Sequence, residues 1–387
     1  MASALDGVTI LDLSRDMAGA YAAMLLAEQG AECIKIVSPG ADGERPPTFA
    51  LFDRSKRSLT LDPETNGGQE VFRRLVARAD IMVEDECGPS PRRFMDYDAL
   101  ARLNPRLVYC SITPFGEKGP LKDKPGDWML VAAFAGTFGA QGGLSQPPVF
   151  VFLPLGAYGT ALLTAYGATL ALFTREATGR GQRVDTSLLS GTLAMEAGGF
   201  LSAVTITPVA STRSIQQGVL PAYRLYPCKD DRWIMIACGN TTFWNKFCLA
   251  MDRTDLLSDP RFEGMPWALA NVENRLALTD VIAGILKEKT LAEWLDIFVP
   301  ADVPCAPVNT REEFMDDPQV QVNHMIVEVE DRHLGRMRQM GVPLTLTDYP
   351  GSIKSPAPRP GEHTAAILGE LGYTPPQIDG LKREGAV

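Results

Sequence analysis

The start of the chain alternates short apolar runs with amphipathic stretches. Residues 7–13 and 32–37 are apolar, β-rich runs that predict strands, and residues 18–29 between them predict a helix that ends at Gly30. Two neighbouring parallel strands need a crossover of this kind, so the pattern predicts a βαβ unit.

The same alternation continues as far as residue 112. Helices are predicted at 67–79 and 97–103, and strands at 80–84 and 106–112. Repeated βα units predict an α/β fold with a Rossmann-like large domain. The first strand is followed by Asp12-Leu-Ser-Arg-Asp-Met-Ala-Gly19, which lacks the GxGxxG dinucleotide fingerprint. The sequence therefore disfavours a nicotinamide-dependent dehydrogenase.

The rest of the chain predicts more helices and a second domain. Long helices are predicted at 153–175 and 184–203, joined by the sharp turn Thr178-Gly-Arg-Gly-Gln182. Beyond residue 217, strands are predicted at 233–238 and 325–330, and helices at 242–251, 271–289 and 291–298. We expect a discontinuous large domain of residues 1–210 and 331–387 and a smaller α+β domain of residues 217–330. The proline-rich stretch 351–360 predicts an extended tail.

Composition and charge narrow the class of protein. The 387 residues carry a net charge of −10, which argues against a nucleic-acid surface. Seven cysteines with no CxxC pair and an N-terminus without a basic leader predict a reduced, cytoplasmic protein. The most apolar stretch, 153–173, contains glycines and a proline and predicts a buried helix, so no membrane partner is expected. The three histidines show no metal-binding spacing, and no metal is predicted.

Ten short segments, taken in order, point to one family. The chain resembles the class III CoA-transferases, the family of formyl-CoA transferase, carnitine CoA-transferase and α-methylacyl-CoA racemase. The segments are Leu5-Asp-Gly-Val8, Leu11-Asp-Leu-Ser14, Ala18-Gly19, Gly30-Ala-Glu-Cys-Ile-Lys35, Lys56-Arg-Ser-Leu-Thr-Leu-Asp62, Asn104-Pro-Arg106, Thr178-Gly-Arg-Gly-Gln182, Val303-Pro-Cys-Ala-Pro-Val308, Asp317-Pro318 and Gly361-Glu-His363.

The resemblance implies a fold, an assembly and a reaction. It implies a Rossmann-like large domain, a smaller domain, and two chains threaded through each other as an interlocked, ring-like dimer. It also implies a single catalytic aspartate. Its carboxylate attacks an acyl-CoA thioester to give a mixed anhydride, and the released CoA thiolate then forms an enzyme thioester from which an acceptor acid collects the CoA.

The resemblance places Ala157 at the position of this nucleophile. Counting back without a gap from Thr178-Gly-Arg-Gly-Gln182 reaches Ala157, and a methyl group cannot attack a thioester. Between residues 126 and 175 the sequence holds one acidic residue, Asp127, so a small shift of the alignment does not restore the nucleophile. In the racemase branch the catalytic histidine would fall near Asp127, and the catalytic aspartate would again be Ala157. Asp127 is either a proton carrier or a solvated capping residue.

The positions expected to bind CoA are altered as well. The resemblance implies CoA contacts at Met17, Ala18, Leu61 and Arg93. Relatives commonly carry an arginine where this chain reads Val37-Ser38-Pro39, a basic residue at Glu64, and Glu-Asn-Phe at residues 84–86, here Glu84-Asp85-Glu86. Carboxylates near the CoA phosphates would repel them, so we expect weak or no CoA binding in this chain. The alternatives are that these side chains face water or that CoA binds elsewhere.

Three hypotheses on function follow. The first is a non-catalytic subunit that pairs with a homologous chain retaining the aspartate, in an assembly that moves CoA from a donor such as succinyl-CoA to a small organic acid. The benzylsuccinate type is the precedent. The second is an active homodimer that uses other groups, and the third is a binding or regulatory protein. The loops at residues 142–152 and 211–221 are expected to select the acid, which the sequence does not identify.

Overall fold

The computed structural model describes residues 3–40, 49–85, 96–142, 147–197, 218–267, 269, 271–332 and 334–387. Residue contacts divide the chain into two compact units. The first consists of Met1–Ala135, Phe152–Leu201 and Pro318–Val387, and the second of Gly136–Val151 and Ser202–Asp317. Each unit is described by itself.

The first unit is built on a six-stranded, all-parallel sheet. Its strands are β1 (Thr9–Asp12), β2 (Glu32–Val37), β3 (Arg57–Thr60), β4 (Ile81–Glu84), β5 (Val108–Thr113) and β6 (Arg183–Ser187). They lie in the order β3-β2-β1-β4-β5-β6, the order of a Rossmann fold. The predicted α/β fold class is confirmed.

Helices of the first unit cover both faces of this sheet. They are α1 (Met17–Glu28), α2 (Phe49–Phe52), α3 (Asn66–Arg78), α4 (Tyr97–Leu103), α5 (Trp128–Ala135), α7 (Leu155–Thr178), α8 (Leu188–Met195), α14 (Pro318–Val322), α15 (Thr364–Glu370) and α16 (Pro375–Glu384). Alternate residues of each strand point to opposite faces. Ile10 joins a buried cluster with residues of α1 and α7, whereas the next residue, Leu11, joins one with residues of α3 and α16.

The second unit has an antiparallel sheet of four strands. In chain order its elements are α6 (Thr137–Gly142), β7 (Gly218–Leu220), β8 (Tyr223–Pro227), β9 (Trp233–Ala237), α9 (Thr241–Ala250), α10 (Asp255–Ser258), α11 (Val272–Leu286), α12 (Leu291–Phe298), β10 (Cys305–Pro307) and α13 (Arg311–Asp316). A single apolar cluster, which includes Phe247, Trp294 and Phe298, joins the sheet to α9, α11 and α12.

Two sequence-based expectations need correction. The predicted helix at 184–203 is wrong at its start, because residues 183–187 form strand β6 and pair in parallel with β5. The Ser187 side chain then accepts the backbone N–H of Ser190 and begins α8. A domain boundary after residue 330 would cut the antiparallel hairpin of β11 (Ile326–Asp331) and β12 (Gly335–Met340), which belongs to the first unit. The division into a large and a small domain otherwise stays a prediction.

Helix α7 has the length and apolar composition of a membrane span, but half of its most apolar window is buried. It packs against α1 and α8. Tyr21 of α1 meets Tyr158 of α7 edge-on, with the ring centroids 5.8 Å apart. Such burial is typical of a core helix.

A buried arginine links the hairpin β11–β12 to the end of α1. The Arg54 guanidinium is fully buried; its Nε lies 2.5 Å from Glu28 Oε1, and its Nη1 donates to the carbonyl of Met340 at 2.5 Å. Arg57, three residues later, makes a more exposed pair with Glu370. The two arginines therefore offer a matched comparison.

We predict that Arg54→Met destabilises the protein by about 3–5 kcal/mol, because Glu28 would be left buried without its partner. Arg57→Met should cost about 1 kcal/mol or less, since exposed pairs contribute little. Urea unfolding of the two variants measures the difference. Equal losses of unfolding free energy in the two variants would show that burial of the Arg54–Glu28 pair adds nothing to stability.

Candidate functional site

The order of the parallel strands reverses between β1 and β4. In open α/β sheets this reversal leaves a crevice at the carboxyl ends of the strands, and ligands bind there. Here the crevice is bordered by the turn of residues 14–19, which leads from β1 into α1, and by Asp85, which directly follows β4. This edge of the sheet is the candidate site.

Five side chains beside this edge form a buried ion network, defined as Asp12, Ser14, Lys35, Asp53 and Lys56. The Asp12 carboxylate lies 3.0 Å from Lys35 Nζ and 2.6 Å from Lys56 Nζ. Lys56 also meets Asp53 at 3.0 Å. Every member is less than 10% exposed. Buried charges of this kind are tolerable because they are paired and hydrogen-bonded.

The network sets the charge of Asp12. Burial by itself would raise the pKa of its carboxyl, but Lys35 and Lys56 outweigh burial and hold that pKa well below its usual range. Asp12 is therefore an ionised structural anchor across the physiological pH range. It cannot donate a proton to a substrate.

Asp85 occupies the start of α1. Its Oδ1 accepts the backbone N–H of Arg15 at 2.6 Å, and its Oδ2 accepts those of Asp16 at 3.0 Å and Gly19 at 3.3 Å. Burial raises the pKa of this carboxyl to about 7, although the Arg15 amide and Lys35 oppose the shift. The sequence-based expectation placed Asp85 against CoA phosphates; its carboxylate instead accepts the chain's own amide groups.

Ala157 lies in the first turn of α7 and is 2% exposed. It belongs to the same apolar cluster as Ala18, and Met17 packs against that cluster. The structure thus brings together three of the positions that the sequence assigned to the site. Ala157 is buried in this cluster and offers only a methyl group.

Asp127 acts as a cap on α5. Its Oδ1 accepts the backbone N–H of Leu130 at 2.8 Å, and its side chain is exposed. This is the geometry of the capping residue weighed from the sequence. A proton-carrier role for Asp127 stays a prediction.

Of the other predicted binding positions, Leu61 lies away from Ala157. Leu61 is 1% exposed and belongs to the cluster on the opposite face of the sheet, with Leu11 and Phe72. Glu64 is exposed to water, as one of the alternatives held. Arg93 and Glu86 lie outside the described residues.

His363 has a structural contact in the described part of the chain. His363 Nδ1 accepts the backbone N–H of Ser58 at 3.2 Å, which ties the tail to β3. His333 lies outside the described residues. Within the part of the chain that the structure describes, no group of three or more histidine, cysteine, aspartate or glutamate side chains could hold a metal ion.

Sequence reasoning missed the roles of Asp85 and the buried ion network. Asp12, Lys35 and Lys56 each stood in a segment that carried the resemblance, but those segments are far apart along the chain. The available signal was that Asp12 and Lys35 lie in neighbouring predicted strands, where parallel pairing sets them side by side. Lys56 gave no such signal, because the strand that follows it was not predicted.

Fold and site together define a Rossmann-type α/β protein whose strand-end crevice is filled by its own charged groups. The model of CoA-transferase family III matches residues 5–364, and the chain belongs to this family.

Two proteins of Chloroflexus aurantiacus resemble the chain over most of their length. A succinyl-CoA–D-citramalate CoA-transferase is 30% identical, with 95% of this chain and 94% of that protein covered. The beta subunit of a succinyl-CoA–L-malate CoA-transferase is 29% identical, with 99% of this chain and 98% of that protein covered. The crystal structure of a CaiB/BaiF family protein from Brucella suis superposes with a TM-score of 0.82, at 28% identity, over 96% of this chain and 100% of that one.

The first turn of α1 has no space for a side chain at Gly19. A methyl group there would lie 2.5 Å from Ser14 Cβ and 2.7 Å from Asp85 Oδ2. We predict that Gly19→Ala destabilises the protein by about 1–3 kcal/mol through overpacking. Thermal and urea unfolding measure the loss.

Gly369, an exposed glycine in α15 with open space around its Cα, is the matched control. Gly369→Ala should stabilise the protein by about 0.5–1 kcal/mol, because alanine is the better helix former. A Gly19→Ala protein as stable as the control variant would contradict the close contact with Asp85.

Proposed function

We propose that the chain is a non-catalytic subunit of a heteromeric family III CoA-transferase. Its partner is a homologous chain that retains the aspartate, and the assembly moves CoA from a donor such as succinyl-CoA to a small organic acid. The observation that carries the proposal is Ala157, a buried methyl group at the position where the family's reaction needs a carboxylate.

The chemistry makes this position decisive. A side-chain carboxylate must attack the thioester carbonyl carbon and expel CoA thiolate, which gives a mixed anhydride. The thiolate then attacks the side-chain carbonyl carbon of that anhydride, releases the donor acid and leaves an enzyme thioester. Ala157 is buried and offers only a methyl group for this reaction. Asp85 is no substitute, because its two oxygens are fixed by three backbone N–H groups and its side chain is almost buried. A carboxylate held in that way is a poor nucleophile.

Two observations support a heteromeric assembly. The L-malate CoA-transferase beta subunit, which resembles this chain over nearly its whole length, is by its name one subunit of a larger enzyme. In addition, α7 presents a stripe of large apolar side chains to solvent, spaced at helical intervals. They are Leu162, Tyr166, Leu170 and Phe173, between 46% and 78% exposed.

We also propose that CoA binds weakly or not at all to this chain by itself. The amide groups at the start of α1, which could hold a phosphate, are already occupied by Asp85. The exposed position of Glu64 removes one of the repulsive contacts expected from the sequence. The proposal therefore rests on Asp85 more than on the surface acids.

The test is CoA transfer by the isolated chain and by the chain purified together with its homologue. With succinyl-CoA as donor and a panel of organic acids, we expect the isolated chain to transfer no CoA. Hydroxylamine, which traps acyl-enzyme intermediates, should detect no such intermediate on the isolated chain. The complex should transfer CoA, and replacing the partner's aspartate by asparagine should abolish transfer.

The matched control is Ala157→Ser in this chain, within the same complex. It adds one oxygen at the nucleophile position and should leave the rate within about threefold of the unaltered complex, since the chemistry takes place on the partner. CoA exchange by the isolated chain at ordinary enzymatic rates of about 1 per second or more would refute the proposal.

A second prediction concerns the apolar stripe on α7. Replacing both Tyr166 and Phe173 by glutamate should weaken the complex at least tenfold, because two charges would have to be buried in an apolar interface. Analytical ultracentrifugation of the mixed chains measures the dissociation constant. Leu249→Glu on α9, which alters a side chain that is 61% exposed, should leave assembly unchanged. Equal effects of the two changes would exclude the α7 stripe as an interface.

A further inference from the structure

The first turn of α1 is capped by a carboxylate from a distant part of the chain. Asp85 is 66 residues beyond Gly19, yet it accepts the backbone N–H of Gly19, Arg15 and Asp16. The side chain of Asp16 accepts the next free amide, that of Met17, at 2.7 Å. Both side chains satisfy N–H groups that a helix leaves unpaired at its start.

This cluster of amide groups is the kind of place where a protein binds phosphate. The N–H groups of a helix N-terminus converge on the ligand, and the helix dipole adds a partial positive charge. In Rossmann folds the turn after the first strand holds a pyrophosphate in this manner. The same turn in this protein already holds an anion, and that anion is Asp85.

Space and charge leave no room for a second anion. Asp85 Oδ2 lies so close to Gly19 that an added methyl group would be 2.7 Å away. The carboxylate is 8% exposed, so a phosphate would have to displace it. A phosphate beside an ionised Asp85 would also be repelled.

We propose that Asp85 is a positioning residue whose carboxylate takes the place of a bound phosphate at the start of α1 and fixes the turn of residues 14–19. The turn contains Ala18, which shares a buried apolar cluster with Ala157, and Met17, which packs against that cluster. The relevance of this cluster to CoA transfer rests on the proposed function. The capping itself does not depend on it.

Charged groups from three directions surround Asp85. They are Lys35 of β2, Asp12 of β1 and Asp16 of the turn. Lys35 favours the ionised carboxylate, whereas burial and the two aspartates oppose it, and the balance is a pKa of about 7. Above pH 7 Asp85 is an anion that accepts amide groups with both oxygens. Because this pKa is raised, the closed turn takes up a proton between pH 8 and pH 5.5 that the opened turn does not, so protection of the turn should rise as pH falls through 7.

The test measures amide hydrogen exchange of residues 15–19 in the full-length chain, expressed as protection factors so that the intrinsic pH dependence of exchange is removed. At pH 8, Asp85→Ala should lower protection at least tenfold. Asp85→Asn, which keeps one accepting oxygen, should lower it less and should remove the change in protection between pH 8 and pH 5.5 that the unaltered protein shows.

Glu84→Gln is the matched control, since it alters the neighbouring buried carboxylate, which accepts the Ser111 hydroxyl at 2.5 Å. Its protection at residues 15–19 should equal that of the unaltered protein. Unchanged protection in both Asp85 variants would overturn the positioning role. If Asp85→Ala does not fold, as judged by circular dichroism, the pH response of Asp85→Asn decides alone.

Inorganic pyrophosphate is the probe for the filled site. Pyrophosphate at millimolar concentration should restore protection of the turn in Asp85→Ala and have no effect on the unaltered protein. Protection of the unaltered protein by pyrophosphate, or no response in Asp85→Ala, would overturn the claim that the carboxylate stands in for a phosphate. Neither result depends on whether the isolated chain transfers CoA, so the two proposals fail separately.

Discussion

The pairing of Asp12 with two lysines is the interaction on which the parallel sheet and its site depend. Asp12 ends β1, Lys35 lies in β2, and Lys56 comes one residue before β3, so a single carboxylate ties three neighbouring strands together. Its two partners are nearly as buried as Asp12 itself. Removing either lysine would leave an uncompensated charge in the interior, and a broken buried pair costs about 3–5 kcal/mol. The geometry of the strand ends is therefore tightly constrained.

That constraint extends to the start of α1. Ser14 donates its hydroxyl to Asp12, at an oxygen–oxygen distance of 2.5 Å, and its Oγ also lies 2.8 Å from Lys35 Nζ, so the chain leaves β1 in one fixed direction. Lys56 donates to the carbonyl of Ala20, which anchors the second turn of α1. Asp85 then fixes the turn between them from the side of β4. Three elements far apart in sequence thus define where Met17 and Ala18 lie.

Much of this fold could be predicted from local patterns, and the reasons for the failures are physical. Strands β1, β2, β4 and β5 follow from apolar runs separated by helical stretches, whereas β3 was not predicted from the sequence. Strand β6 was missed because Val184 to Ser187 is short, polar and at the sheet edge, where only pairing with β5 distinguishes it from a helix start. The domain boundary failed because strand pairing across residue 330 has no local signature.

The site was predictable to a different degree. Ala157 could be placed by counting back from Thr178 without a gap, and its position at the nucleophile site stays a prediction. The function of Asp85 could not, because a local sequence shows an acid after a strand but not which backbone amides will face it. The expectation that Asp85 repels a phosphate assumed that the phosphate and the carboxylate are both present. In the folded chain the Asp85 carboxylate accepts the same backbone amides that would bind a phosphate, so only one of the two groups can occupy this place.

The residues that stabilise the fold, in the ion network and the capped turn, are different from the residue at position 157, where the family's reaction needs a carboxylate. An aspartate at position 157 would have to be buried among apolar groups, where burial disfavours the charged form and raises the pKa of a carboxyl. An alanine at position 157 packs without that cost. Loss of Asp12 or Lys56 would instead break the buried ion network at the end of β1. Selection for a folded partner chain, without selection for its own nucleophile, would therefore preserve the ion network and the capped turn and leave position 157 free to become apolar. The proposed non-catalytic subunit requires only that Asp12 stabilises the fold, whereas a carboxylate at position 157 would serve the reaction alone.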